Sequence, residues 1–204
     1  MIKLVVFDYD GVFTDGNIYV IEDFALKKYN CKDGYGISLL KKNNIKTAII
    51  SSHTLETNVN EIKRHLKIDY YSQCENNKLK VLNKIMEDYN YNYDDIAYIG
   101  DDINDIEIMS KVRFSACPKD AIDDCKSIVN YICKKKGGQG CVREFIDIIL
   151  NYNSIDQSIF NNFNTIDQIR DEAIFQLYNY EKLNFDFITN KILDCTGNIY
   201  VSGV

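Results

Sequence analysis

Apolar and polar positions fall in short blocks along the first 150 residues, and the block lengths alternate. Lys3–Phe7 (KLVVF) is an apolar, β-branched run that stops against acidic residues and a glycine, which predicts a buried parallel strand opening into a loop. Asn17–Val20 and Leu26–Asn30 read as two further strands, and the polar stretch Ile21–Ala25 between them as the turn of a hairpin. Tyr35–Lys42 carries a helical apolar face (Ile37, Leu39, Leu40) closed by Asn43-Asn44. Strand and helix then alternate. The strands are Lys46–Ile50, Ile68–Tyr71, Ile96–Ile99, Val112–Ala116 and Ile128–Ile132. Between them come helices over Leu55–Leu66, Lys78–Tyr89 (Leu79, Leu82, Ile85 and Met86 inward), Ile103–Met109 and about Ala121–Cys125; Cys141–Leu150 closes the series. That order predicts an α/β fold with a doubly wound, mostly parallel sheet and a short β-hairpin insertion.

After Leu150 the texture becomes polar and aperiodic (NYNSIDQSIFNNFN), so residues 151–164 read as a linker between a domain at 1–150 and a segment at 165–204. A helical pattern resumes at Thr165 (Ile166, Ile169, Ala173, Leu177), another covers Phe185–Leu193, and Asn198–Val201 reads as a strand. A strand needs partners for its backbone groups, so this tail reads as a truncated, incomplete domain.

Composition narrows the function. Of 204 residues, 46% are hydrophobic and 26% charged, and the net charge is −6, which argues for a folded globular chain and against nonspecific nucleic-acid or anionic-membrane binding. An anionic substrate would need a local cation, from a metal or a lysine. No apolar run reaches membrane-spanning length, and the expected location is cytoplasmic. Seven cysteines include no C-x-x-C pair, so no zinc site is expected; the evenly spaced Cys117, Cys125, Cys133 and Cys141 read as free buried thiols.

Two acidic loops carry the chemistry. Asp8-Tyr9-Asp10-Gly11 follows the first strand, where ligands bind in an open α/β sheet. Two carboxylates two residues apart suit a division of labour, one attacking phosphorus and one protonating the leaving oxygen. Alternatively, D-x-D-G is a surface turn. Gly100-Asp101-Asp102-Ile103-Asn104-Asp105 follows the strand Ile96–Ile99 and offers a hard-cation site of the kind magnesium prefers, although Asp101 or Asp102 can equally cap the helix behind it. Ser51, past the strand TAII, offers a hydroxyl to a phosphate oxygen, and Lys78 at a helix start offers positive charge.

In this order, D-x-D, Ser, Lys and G-D-D-x-x-D resemble the haloacid dehalogenase superfamily of phosphatases, with its Rossmann-like sheet. The resemblance implies Asp8 as nucleophile, Asp10 as general acid/base, Ser51 as phosphate holder and Lys78 as the bridge between nucleophile and phosphate. It also implies Mg²⁺ ligated by Asp8, the Asp10 carbonyl and Asp101, with Asp105 orienting Lys78 or a metal-bound water. FDYDGVFTDG, YNCKDGYGISLLKK, QCENNKLKVL, YIGDDINDIEIM and KKKGGQGCVREFIDIIL further resemble its capless group, the 3-deoxy-D-manno-octulosonate 8-phosphate phosphatases; no cap-sized insertion follows the first or third strand. That likeness implies a small anionic sugar-phosphate substrate and a homotetramer. It places Asn30, Asp33 and Gly34 near a site and Gly137, Gly138, Gly140 and Arg143 in a loop near substrate.

Where that group has Thr-Gly-Arg after the second strand, this chain has Ser51-Ser52-His53, with Ser52 beside the phosphate and His53 either a substrate contact or a loop histidine. A nonulosonate (sialic-acid-type) 9-phosphate is therefore the second substrate reading, and a non-catalytic oligomeric module is the contrasting one. Residues 165–204, ending GNIYVSGV, resemble the opening of the sugar-isomerase domain of arabinose 5-phosphate isomerase, without the glycine-serine loop that should follow; this implies a fragment of a phosphatase–isomerase fusion or a decayed version of one.

Overall fold

The structure is a computed structural model that describes residues 1–21, 24–52, 66–73 and 77–162. His53, most of the helix expected over Leu55–Leu66 and the whole tail 165–204 lie outside the described residues. Of the two units into which the chain divides, Met1–Asn153 and Ser154–Val204, the first holds the sheet.

Six parallel strands run in the order β5-β4-β1-β6-β7-β8. They are β1 (Leu4–Phe7), β4 (Lys46–Ser51), β5 (Tyr70–Gln73), β6 (Ile96–Ile99), β7 (Phe114–Cys117) and β8 (Tyr131–Ile132). Every residue of β1 and β6 is buried, as a parallel sheet covered on both faces requires. Phe7 pairs with Ile49 on one side and Ile99 on the other, so the strand ends carrying the candidate residues lie level. The chain winds outward from β1 through β4 to β5, then returns to β6 on the opposite side of β1. That reversal opens a crevice at the carboxyl ends of the strands.

The hairpin strands β2 (Tyr19–Ile21) and β3 (Phe24–Leu26) form a separate antiparallel pair with Tyr19 opposite Leu26. They close more tightly than expected, since Ile21, Phe24 and Ala25, read as turn, belong to the strands. The first helix, α1 (Cys31–Lys42), begins before the expected Tyr35, because Asn30 caps it by accepting from the Lys32 N–H; Gly34 and Gly36 had disguised its first turns. Helices α2 (Lys78–Tyr89) and α3 (Ile103–Met109) fall where the periodicity put them, and α4 (Asp123–Ile128) lies slightly later.

The largest difference concerns the closing helix. Expected to end at Leu150, α5 runs over Cys141–Asn162, through most of the stretch read as linker. Its buried stripe continues past Ile149 to Tyr152 and Asn153, the helical positions that follow Phe145 and Ile146. Tyr152 packs against Phe114 at 5.9 Å, and Phe114 stacks on Phe145 at 6.1 Å. The Asn153 amide accepts from the Ile2 N–H and donates to the Ile2 carbonyl, both at 2.8 Å, tying the helix to the entry of β1. Residues polar by type are therefore interior by position. No helix among the described residues is long and apolar enough to cross a membrane.

Candidate active site

Asp8 leaves the end of β1 with its N–H still on the Ile99 carbonyl at 2.9 Å, so the strand holds it rigidly in the crevice. The chain then turns back on itself, Phe13 N and Thr14 N both donating to the Tyr9 carbonyl. Gly11 makes the turn possible: its φ is +76°, and a Cβ there would fall 1.9 Å from Asp101 Oδ2. The two acidic loops therefore touch, although 93 positions separate Asp8 from Asp101.

Lys78, the first residue of α2, completes the cluster. Its Nζ lies 2.9 Å from Asp8 Oδ1 and 2.6 Å from Asp105 Oδ1, and the side chain is almost wholly buried. Asp105 is saturated with donors: Oδ1 also accepts from Tyr98 Oη at 2.6 Å, while Oδ2 accepts from the N–H groups of Asp101 at 2.9 Å and Asp102 at 3.2 Å. Asp102 caps α3 by accepting from Ile103 N at 2.7 Å, in a capping box with Asp105. The open choice between capping and ligation is thus divided. Asp102 caps the helix and Asp101 faces Asp8.

Oxygens of Asp8, Asp101 and Asp105 lie within 4.8 Å of one another, the one such group of potential metal ligands among the described residues. Burial, with repulsion from Asp105, pushes Asp8 up to about 7 against the pull of Lys78. Burial, with repulsion from Asp8 and then Asp105, pushes Asp101 up to about 8. Burial opposes the charge on Lys78, but the Asp8 and Asp105 carboxylates outweigh it and hold its pKa above the ordinary value. One ammonium does not neutralise this group. Because Asp105 is already saturated, Asp8 and Asp101 are the carboxylates suited to a hard divalent cation.

A cavity of about 360 Å³ opens over this cluster, walled by Asp8, Asp10, Gly11, Lys27, Ser51, Ser52, Asp101 and Asn104, among others. Of the expected residues, Asp8, Asp10, Ser51, Ser52 and Asp101 meet there, with Lys78 and Asp105 directly behind. Lys27 and Asn104 are additions. Lys27, just after β3, places Nζ 2.6 and 2.7 Å from the two oxygens of Asp10; among many lysines, only proximity in space distinguishes it. Asn104 donates to Ser52 Oγ at 3.0 Å, linking the β4 loop to α3.

Asp33, Gly34 and Arg143 stand apart from the cavity lining. Asp33 is buried in α1, and its Oδ1 accepts from the Arg143 N–H at 2.9 Å, capping the first turn of α5 from another helix. Its Oδ2 has no hydrogen-bond partner among the described residues, and burial pushes the carboxyl up to about 6. The Arg143 side chain pairs with Asp147 at 2.8 Å and lies over the Tyr35 ring at 5.3 Å. The glycine loop before α5 meets the loop that follows Asp8 backbone to backbone: Gly138 N donates to the Val12 carbonyl at 3.0 Å, and a Cβ on Gly137 would lie 1.9 Å from the Gly11 oxygen. Cys117, Cys125, Cys133 and Cys141 are all buried and free, their thiols pushed up in pKa by burial.

Residues 40–146 match the profile of the haloacid dehalogenase-like hydrolases. A 3-deoxy-D-manno-octulosonate 8-phosphate phosphatase of Yersinia pestis is 35% identical over 150 residues, covering 73% of this chain and 80% of the relative. A crystal structure of a phosphatase of this name from Yersinia pestis superposes with a TM-score of 0.70 at 34% identity, covering 74% of this chain and 81% of the other. A phosphatase of the same name from Moraxella catarrhalis, solved with magnesium ion, phosphate ion and KDO, gives a TM-score of 0.71 at 30% identity, covering 78% and 92%.

Proposed function

The chain belongs to the haloacid dehalogenase-like hydrolases, and we propose that it is a magnesium-dependent phosphatase of 3-deoxy-D-manno-octulosonate 8-phosphate acting through an aspartyl-phosphate on Asp8. The observation that carries this reading is the buried Asp8 carboxylate with the Lys78 ammonium at 2.9 Å and the Asp101 carboxylate beside it, at the floor of one cavity.

Asp8 attacks phosphorus, and Asp10 gives a proton to the departing sugar oxygen as the P–O bond breaks. Water then attacks the aspartyl-phosphate, Asp10 takes its proton, and inorganic phosphate leaves with the Asp8 carboxylate restored. Lys78 stabilises the charge that builds on the transferring group, and Asp105, fixed by three further donors, holds Lys78 in place. Ser51 binds a phosphate oxygen. Mg²⁺, held by Asp8, Asp101 and the Asp10 carbonyl, would supply Lewis-acid charge at the phosphate oxygens.

The substrate assignment rests on the relatives and on the polar wall of Ser51, Ser52 and Asn104, which suits a hydroxyl-rich anion. The sequence Ser51-Ser52-His53 favours a second reading, a nonulosonate 9-phosphate. The exposed Ile18, Tyr19 and Val20 on a two-stranded hairpin, an element marginal by itself in water, support assembly into a homotetramer. Phosphate release across a panel of both sugar phosphates, for wild type and Asp8→Asn, tests the reaction and separates the substrates. Chelation with EDTA should abolish turnover and added Mg²⁺ restore it, whereas an Asp8→Asn variant as active as wild type would overturn the chemistry.

A further inference from the structure

We propose that Lys27 is a positioning residue: it holds the Asp10 carboxyl in the one orientation from which a proton can pass to the departing sugar oxygen and later be taken from water. This rests on the role given to Asp10 above and extends it to a side chain from the hairpin.

A lysine on a hairpin normally keeps its ammonium in water, because burying it unpaired is costly. The Lys27 side chain is instead only 4% exposed. Its Nζ reaches back to the nucleophile loop and spans both oxygens of Asp10, at 2.6 and 2.7 Å. The Tyr9 ring, centred 5.6 Å away, flanks the same ammonium. Thr14 Oγ1 adds a third, longer contact to Asp10 Oδ1 at 3.3 Å. Two fixed donors on one carboxyl leave it little rotational freedom.

The positive charges of the site are thereby divided. Lys78 is committed to Asp8 and Asp105, whereas Lys27 serves Asp10. Lys27 and Thr14 together occupy Asp10 Oδ1, whereas Oδ2 accepts from Lys27 and retains a second lone pair, so the clamp leaves room there for the reacting proton. In the first half-reaction the P–O bond to the sugar breaks and the Asp10 proton goes to that oxygen. In the second, a water proton goes to Asp10 as the new P–O bond forms and the Asp8–phosphorus bond breaks. The same carboxyl must face the same point twice, which a loosely held rotamer would do less often.

General-acid assistance matters for a poor leaving group such as a sugar alkoxide and hardly at all for a good one such as p-nitrophenolate. We therefore compare kcat for the sugar phosphate with kcat for p-nitrophenyl phosphate in Lys27→Met, Lys27→Arg and Asp10→Asn. Proton transfer from a positioned acid contributes about 10²–10⁴-fold. The expected result is that Lys27→Met loses at least about tenfold more on the sugar phosphate than on the aryl ester, with KM little changed. Lys27→Arg, whose guanidinium can also span two oxygens, should recover part of that ratio. Equal losses on both esters, or a rise in KM alone, would overturn the inference and leave Lys27 a structural or substrate-binding residue. If Asp10→Asn itself shows no dependence on leaving group, the role of Asp10 fails, and the inference fails with it. Should Lys27→Met not fold, judged by thermal melting, Lys27→Gln carries the same comparison.

Discussion

Gly137→Ala tests how closely the glycine loop supports the reacting groups. The loop contributes no side chain to the cavity, yet a Cβ at Gly137 would lie 1.9 Å from the Gly11 oxygen, 2.7 Å from the Gly11 carbonyl carbon and 2.9 Å from the Thr14 oxygen. These are backbone atoms, so no rotamer change relieves the contact. The closest approach is 1.1 Å short of the 3.0 Å that real Cβ atoms require. Gly137 is itself pinned, its N–H donating to Asp120 Oδ1 at 3.0 Å, and Gly138 is hydrogen-bonded to Val12. Part of the displacement must then fall on the segment bearing Asp8 and Asp10. Overpacking of this kind costs about 1–3 kcal/mol of stability, and a shift of about 1 Å in reacting groups costs roughly 10²-fold in rate. Kinetics of phosphate release, measured beside thermal melting, should show kcat lowered about a hundredfold in a protein that still unfolds cooperatively. A variant with kcat within threefold of wild type would refute the argument that this contact positions the nucleophile loop.

Three other perturbations probe separate parts of the structure. Lys78→Met removes the cation shared by Asp8 and Asp105; kcat should fall by about 10²–10³, and melting should show a loss of roughly 3 kcal/mol from carboxylates left unpaired. Asp33 is held protonated in the folded protein up to about pH 6 against 3.8 for its ordinary value, so its stabilisation is full below about pH 4 and is lost as pH rises through 6. That difference amounts to about 3 kcal/mol, and denaturant titrations of Asp33→Asn should lack it; parallel pH profiles for variant and wild type would exclude a raised Asp33. Asn153→Leu forfeits both bonds to Ile2 and should cost about 2 kcal/mol without altering kcat; an unchanged denaturation midpoint would mean that the helix extension does not anchor β1.

What the sequence determined by itself was local or repeated. The apolar blocks KLVVF, TAII and IAYI specify buried strands because a strand covered on both faces favours apolar side chains on both, and the acidic loops begin where such strands end, at Asp8 and at Gly100-Asp101. The spacing of α2 and α3 was equally legible, since their apolar positions recur at helical intervals. Tertiary structure alone decided the rest. The buried places of Tyr152 and Asn153 depend on Phe114 and Ile2, which no pattern within α5 encodes. Lys27 could be told from other lysines only when the hairpin folded back on Asp10, and the approach of the glycine loop to the Gly11–Thr14 backbone was visible only when both were in place. Periodicity reports which face of an element is apolar; which partner that face, or a charge at its end, will meet is set by how the elements pack.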